Sequence, residues 1–288
     1  MKIEIRPIST ASEYVAVEQL QREVWGAPEV EIIPNHVLMT VQKNGGTVLG
    51  AFAIVEDLEH LVGFVFGFAG ITPDGGVKHC SHVAAVTPQY QNQNIGHLLK
   101  LAQRQHALAQ GIDLITWTFD PLESRNARFN FHKLGAICNR YSRNHYGEMR
   151  DELNAGLPSD RFEVDWQIST QRVKAHLEKA IPAALPSALE AVGVPLVNRA
   201  VSGDLQRPAE ETLPIAGERL LIQIPSHFQH VKATDRALAL AWRMHTRGLF
   251  EDAFARGYTA SDLLVENGQS FYLLESKIKR QKAFDFGF

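Results

Sequence analysis

Cysteine is almost absent from this chain: Cys80 and Cys138 are the only two among 288 residues, too few for a disulfide framework or a four-sulfur zinc site. A reducing compartment, the cytoplasm, is the expectation. An excess of charge of one sign is also missing. The 29 basic and 32 acidic side chains leave a formal net charge of -3, so nothing draws the chain as a whole to nucleic acid or an anionic membrane. Any polyanion has to be met by a local site. No apolar run reaches the roughly 18 to 20 residues that span a bilayer; the longest is Leu61 to Ile71. The first residues, Met1 to Arg6, alternate apolar with charged side chains and lack the apolar block of a signal peptide. Neither nucleic acid nor membrane is expected as a partner. With 45% hydrophobic residues, 21 glycines and 13 prolines, the composition is that of an ordinary globular chain, and disorder and collagen-like structure are excluded.

What is present is a regular alternation of elements. Lys2 to Ile8 reads as a strand, and Ser9-Thr10 supplies N-cap hydroxyls for a helix with Tyr14, Val17, Leu20, Gln21 and Val24 on one face. A short helix, Asn35 to Gln42, is closed by Asn44-Gly45-Gly46. Val48 to Val55 and Leu61 to Ala69 form a hairpin about the polar tip Glu56 to Glu59, and His79 to Val86 is a further strand. From about Asn94 to Gln110 the residues Ile95, Leu98, Leu99, Ala102, His106 and Ala109 recur at helical spacing, and Gly111 ends the run. Leu114 to Phe119 is a strand, Ser124 to Leu134 a helix, and Ala136 to Tyr146 and Arg161 to Ile168 are strands. Beyond Ser169 prolines crowd together, which places a domain boundary at 168/169. In the later part, Arg219 to Ile224 is a strand, His230 to Arg256 holds a long helix, and Tyr258 to Glu266 pairs with Ser270 to Glu275. The order faintly echoes the first half, without a repeat period of 20 to 50 residues.

The segment from Val86 to Gly96, Val-Thr-Pro-Gln-Tyr-Gln-Asn-Gln-Asn-Ile-Gly, lies between a strand and the most regular helix. A strand, a tight polar turn and a helix N-terminus aim unpaired backbone N–H groups at one point, where the helix dipole also favours negative charge. That is a cradle for a diphosphate; a plain loop ahead of a surface helix has the same spacing. It is neither a Walker loop nor a three-glycine dinucleotide fingerprint. His82, on the preceding strand, has a side chain suited to general base work near neutral pH, or is a strand histidine satisfied by its neighbours. His79 and His82 point to opposite faces of a strand, so they do not grip one metal ion, and no metal site is expected.

The same segment resembles the signature of the GNAT N-acetyltransferase superfamily, V-x-P followed by Q/R-x-x-G-x-G/A at the head of a helix. Val86, Thr87 and Pro88 match the first part and Gln91, Asn94 and Gly96 the second, with Asn94 standing where the family has glycine. Asn is the residue after glycine best able to take a left-handed backbone. The stretch Phe131-His132-Lys133-Leu134-Gly135-Ala136 after Asn126, and Trp117 to Glu123 before it, resemble a GNAT subgroup of about this length. The resemblance covers about residues 1–168.

It implies a mixed α+β (mixed α/β) fold: a twisted mixed β-sheet flanked by helices and splayed between its fourth and fifth strands, with a smaller C-terminal α/β unit over 169–288 that covers the acceptor site or supports a homodimer. It further implies acetyl-CoA or another acyl-CoA as co-substrate. The pantetheine would pair with Ala84, Ala85 and Val86, and the phosphates would lie on the turn formed by Gln91, Asn92, Gln93, Asn94, Ile95, Gly96 and His97. Lys100 or Arg104 would at most reach a distal phosphate, and Asn126 and Phe131 would lie against the cofactor. The reaction would be acyl transfer, acetyl or larger such as succinyl, to a small amine or amino acid by direct attack on the thioester. His82 is the candidate base. Asp120 would orient the base or the incoming ammonium, or cap the next helix. The family's tyrosine acid is replaced by Phe131, leaving Tyr141, Tyr146 or His132 as substitutes. Trp25, Glu29, Glu31 and His36 would border the acceptor pocket, and Arg140, Arg143 or Arg150 would hold an acceptor carboxylate unless they are solvated surface charges. The rival readings are a non-catalytic acyl-CoA sensor and a protein lysine acyltransferase.

Overall fold

The computed structural model describes residues 2–26, 31–149, 155–179, 181–182 and 184–276. It is a mixed α+β fold whose chain divides into two compact units, Met1–Trp117 with Met149–Gly156, and Thr118–Glu148 with Leu157–Phe288.

In the first unit, strands β1 (Lys2–Pro7), β2 (Thr47–Val55), β3 (Leu58–Ile71) and β4 (Val77–Val86) form an antiparallel meander, and β5 (Leu114–Phe119), which runs across the unit boundary, lies beside β4. The β2–β3 turn is just Glu56-Asp57, both at positive φ, the two-residue geometry that suits strand twist. The hairpin is thus tighter than the four-residue tip expected. Helix α1 (Ala11–Trp25) begins with a capping box in which Thr10 and Glu13 satisfy each other's backbone amides. With α2 (Asn35–Lys43) it covers one sheet face, where Tyr14, Val17, Leu20 and Leu38 meet Phe52, Phe64 and Phe66. Helix α3 (Ile95–Ala109) covers the other, with Ile95 and Leu99 against Leu49, Ala51, Val62 and Val65.

In the second unit the strand order is β7 (Arg161–Gln167), β6 (Ile137–Ser142), β9 (Thr259–Glu266), β10 (Gln269–Glu275), β8 (Arg219–Ile224). Helix α4 (Ser124–Ala127) continues as a π-helical turn through Lys133. Short helices α5 (Gln171–Leu177) and α6 (Pro186–Ala191) follow. The long helix expected within 230–256 is α8 (Arg236–Ala255), preceded by a short α7 (Phe228–Thr234); the two are separate because Asp235 adopts extended backbone and its side chain caps Leu238 N. The core is aromatic, with Phe162 ringed by Phe119, Phe131, Phe250 and Tyr272 at centroid distances of 4.7–6.5 Å.

The compact units therefore do not divide at 168/169. Strand β6 pairs with β7 on one side and through Cys138 with Ala260 of β9 on the other, which ties the segment before 168 to the strands after it. Among the described residues no helix is long and apolar enough to cross a membrane.

Candidate active site

Two features of the first unit meet at β4. The strand pairs with β5 only at His79 with Ile115 and Cys80 with Thr116, although it runs on for six more residues to Val86. Beyond Cys80 no further pairing with β5 is present among the described residues, and Ala84, Ala85 and Val86 lie on that stretch of β4. The second feature is a β-bulge. Phe66 faces Val83 and Gly67 faces Ser81, leaving His82 without a ladder partner. A bulge re-aims the side chains that follow it. His79 and Ser81 point under α3, where they meet Gln103 and Lys100, whereas Val83 and Ala85 join the α1–α2 core. His82 itself is exposed, its ring 5.9 Å from that of Phe66 and 6.1 Å from that of Phe68. Partial desolvation against these rings pulls its pKa below the ordinary histidine value, so it is a neutral acceptor at pH 7.

Beyond Val86 the chain makes a short 3-10 turn, Pro88–Tyr90, and then four exposed residues, Gln91 to Asn94. Asn92 and Asn94 both have left-handed backbones, with φ 64° and 67°, so Asn94 does take the conformation that glycine would otherwise supply. It sits at the N-cap of α3, and its carbonyl accepts from His97 N at 3.0 Å and Leu98 N at 3.1 Å. Helix geometry leaves the amides of Ile95 and Gly96 without an intrahelical acceptor. A Cβ built on Gly96 would meet nothing within 4 Å, and its φ lies outside the left-handed range. Glycine is therefore not required by the backbone there, and the space over it is open.

This trims the expected amide set. Gln91 N already donates to Pro88 O, and His97 N to Asn94 O. The Gln91 and Gln93 side chains fold back onto Val86 O and Gln89 O. Ile95 is 1% exposed, its side chain a core residue that offers only its amide. Lys100 does not reach towards a phosphate: it is 5% exposed, with Nζ 2.7 Å from Ser81 Oγ and 3.2 Å from Gln103 Oε1, and 4.1 Å from the centroid of the Trp117 ring. Burial lowers its pKa to about 7. The partnership of Ser81, Lys100 and Gln103 was missed in the sequence. Its signal was there, since Gln103 interrupts the apolar row formed by Ile95, Leu99 and Ala107 at a spacing of four.

The second unit holds the other expected residues. Asp120 is engaged within the second unit. Both its oxygens engage the buried Arg243 guanidinium, one of them also lies 3.8 Å from Arg161 Nη1, and Oδ1 accepts from Leu122 N. Phe131 offers no surface to a cofactor: it is wholly buried among Phe119, Phe162 and Tyr272. Asn126 is exposed on α4. Tyr146 is 49% exposed, its hydroxyl 2.7 Å from Thr118 Oγ1. Tyr141 donates to Asp160 Oδ2 at 2.6 Å, and burial beside that carboxylate pushes its pKa up. His132 pairs with Asp262 at 3.2 Å. Arg140 is held by Asp165 and Glu163, and Arg143, paired with Glu251, is a largely exposed surface charge. In the first unit Trp25 stands edge-on to Phe64, and Glu31 and His36 are exposed. Glu29 and Arg150 lie outside the described residues. Among those described, no group of three or more His, Cys, Asp or Glu could hold a metal ion.

No family model and no curated protein matches the chain. Solved structures do. The chain is similar to the ribosomal-protein-S18-alanine N-acetyltransferase from Escherichia coli, with a TM-score of 0.43 and 13% identity over 59% of this chain and 96% of that one. It is similar to an acetyltransferase of the GNAT family from Streptococcus pneumoniae, at 0.45 and 16% over 57% and 98%. It is also similar to NAA60 of Arabidopsis thaliana in complex with acetyl-CoA, at 0.46 and 14% over 58% and 99%.

Proposed function

We propose that the chain is an acyl-CoA-dependent N-acyltransferase of the GNAT kind, with acetyl-CoA or a larger acyl-CoA such as succinyl-CoA as co-substrate and a small amine or amino acid as acceptor. The observation that carries this reading is the run of β4, turn and α3. A strand that has no described pairing with β5 after Cys80 leads into a turn whose Asn94 is left-handed, and then to a helix whose Gly96 opens onto free space. An extended amide chain ending in a diphosphate fits that sequence of surfaces. Pantetheine amides complete the edge at Ala84 to Val86, and phosphate oxygens accept from Ile95 and Gly96.

His82, lifted out of the ladder by the bulge, takes the proton that an acceptor ammonium must lose before its nitrogen can attack a carbonyl. Tyr146, whose hydroxyl is exposed, is the candidate to return a proton to the departing thiolate. Residues 1–168 supply the acyl-CoA machinery, 169–288 the acceptor site or a homodimer contact, and the two free thiols suit the cytoplasm.

The test is a free-thiol assay crossing acetyl-CoA and succinyl-CoA with amino acids and polyamines. Thiol release that depends on the amine, and that His82→Ala abolishes without changing CoA affinity, is the expected result. Saturable CoA binding with no thiol release for any amine would instead establish the sensor reading. Acylated lysines in a treated lysate without small-molecule turnover would establish the protein acyltransferase.

A further inference from the structure

A cavity within the second unit has no part in the reaction as outlined. Its volume is about 360 Å³, at the small end of ligand sites, which run from roughly 300 to 1,000 Å³. Two junctions build it. Glu123 to Arg125, at the head of α4, form one wall, and Ser226 to His230, leading from β8 into α7, form the other. Ser124 Oγ donates to Ser226 O at 2.6 Å and Gln229 Nε2 donates to Glu123 Oε1 at 2.6 Å, bonds that join residues 102 and 106 positions apart. The walls are thus fixed to each other before any ligand arrives. Phe228, 3% exposed, supplies the apolar lining, and Arg243 Cζ, clamped by both oxygens of Asp120, lies 5.3 Å from its ring centroid.

The polar groups of the cavity are sorted by charge. Glu123 is half-buried and its Oε1 is taken by Gln229, while among the described residues no donor reaches Oε2. Burial raises the pKa of this carboxyl, the Asp120 carboxylate adds to the rise, and Gln229, Arg243 and Lys232 oppose it without cancelling it. The inner end is short of positive charge. At the mouth the sign reverses: Arg125, His227 and His230 are exposed, and among the described residues neither imidazole has a hydrogen-bond partner. Three ligand classes fit badly. A phosphate would face the Glu123 carboxylate, an uncharged apolar molecule would leave Oε2 desolvated and unpaired, and a metal ion finds no group of three or more His, Cys, Asp or Glu able to hold it among the described residues. A short zwitterion satisfies both ends.

From this arrangement we infer that the cavity binds a small amino acid, with its ammonium on Glu123 Oε2, its carboxylate towards the imidazole N–H groups of His227 and His230 and the Arg125 guanidinium, and its side chain against Phe228. The ammonium contact is the stronger of the two. It is made inside the cavity, whereas the carboxylate is met at an exposed rim where water and salt screen the pairing. The site itself needs no acyl-CoA. An amino acid held there is either the acceptor of the proposed transfer or a separate effector, and only the first case rests on the acyltransferase reading.

Titration calorimetry of the full-length protein without CoA, against each common amino acid in turn, is the test. Saturable binding of at least one in the millimolar range or tighter is the expected result. That ligand is then compared with its decarboxylated, deaminated and N-acetylated forms. The decarboxylated amine should bind a few-fold more weakly, and the two forms without an ammonium on the order of tenfold or more weakly. Glu123→Gln keeps an oxygen to accept from Gln229, so it should melt within a few degrees of wild type while losing affinity to the same degree. Replacing both exposed imidazoles, His227→Ala with His230→Ala, should weaken the amino acid a few-fold and leave the decarboxylated amine unchanged. No binding by any amino acid, an N-acetyl form that binds as tightly as its parent, or full affinity in a folded Glu123→Gln protein would each overturn the site; the ligand series on wild type decides even if that variant misfolds. In the thiol-release assay with acetyl-CoA, an amine KM that rises in Glu123→Gln in step with the calorimetric Kd marks the bound amino acid as the acceptor, and an unchanged KM marks an effector. Absence of thiol release for every amine, with binding intact, would remove the acyltransferase reading and leave the site standing.

Discussion

Lys100 shows how much one side chain's setting decides. In the unfolded chain its amine holds a proton up to an ordinary pKa of 10.5, whereas in the folded protein burial lowers this to about 7. Between those values the unfolded state binds more protons, so this residue makes stability rise with pH across the window, and below about 7 the penalty is present in full. Lys100→Met should abolish the rise. The difference in urea-unfolding free energy between wild type and variant is expected to change by a few kcal/mol between pH 6 and 10, at about 1.4 kcal/mol per pH unit, and to favour the variant at the acid end. A difference that stays flat with pH would show that the amine is not desolvated. Asp120 teaches the complementary lesson. In sequence it is one carboxylate at the end of a strand, open to catalytic or capping roles. Its pairing with Arg243, 123 positions away, makes it a buried ion pair, and its bond from Leu122 N closes the turn ahead of α4 without capping that helix.

At the scale of the element, α3 is the most legible part of the chain. Its start and end were placed within a residue or two by Asn94 and Gly111, because helix termini depend on local backbone preferences that residue type reports directly. Its buried face was read less well, since a lysine on an apolar stripe carries no label saying that it lies under a strand. Gly96 provides a clean test because its functional and structural demands separate. A side chain there meets nothing in the protein, so Gly96→Ala should raise stability by up to about 1 kcal/mol. Gly96→Val should melt within a few degrees of wild type yet bind CoA on the order of tenfold or more weakly, about 1.4 kcal/mol, because its side chain occupies the space over the amides. Unchanged calorimetric affinity in the valine variant would remove the cradle from consideration.

At the scale of the whole molecule, the expected boundary at 168/169 and the observed compact units make different predictions. A fragment ending at residue 168 strips β6 of its β9 partner, Asp120 of Arg243 and Asp160 of Arg247, and it opens the aromatic core by removing Phe250 and Tyr272. Leaving one member of a buried ion pair costs about 3–5 kcal/mol, and several such losses exceed the stability of an ordinary domain. Residues 118–168 of the fragment should therefore fail to fold and be cut rapidly by protease, while the first unit, whose core lies within 1–117, survives; protection of 118–168 as in the full chain would restore the original boundary. The alternation of strands and helices, the N-cap hydroxyl of Thr10 and the left-handed Asn94 were determined by the sequence alone, because periodicity and backbone preference act over a few neighbouring residues. Only the tertiary structure decided that Phe131 is core, that Asp120 and Arg140 are held in ion pairs, and that Ser81 and Lys100 lie 2.7 Å apart. Those outcomes depend on desolvation and on partners from remote segments, and neither is written in any local stretch of chain.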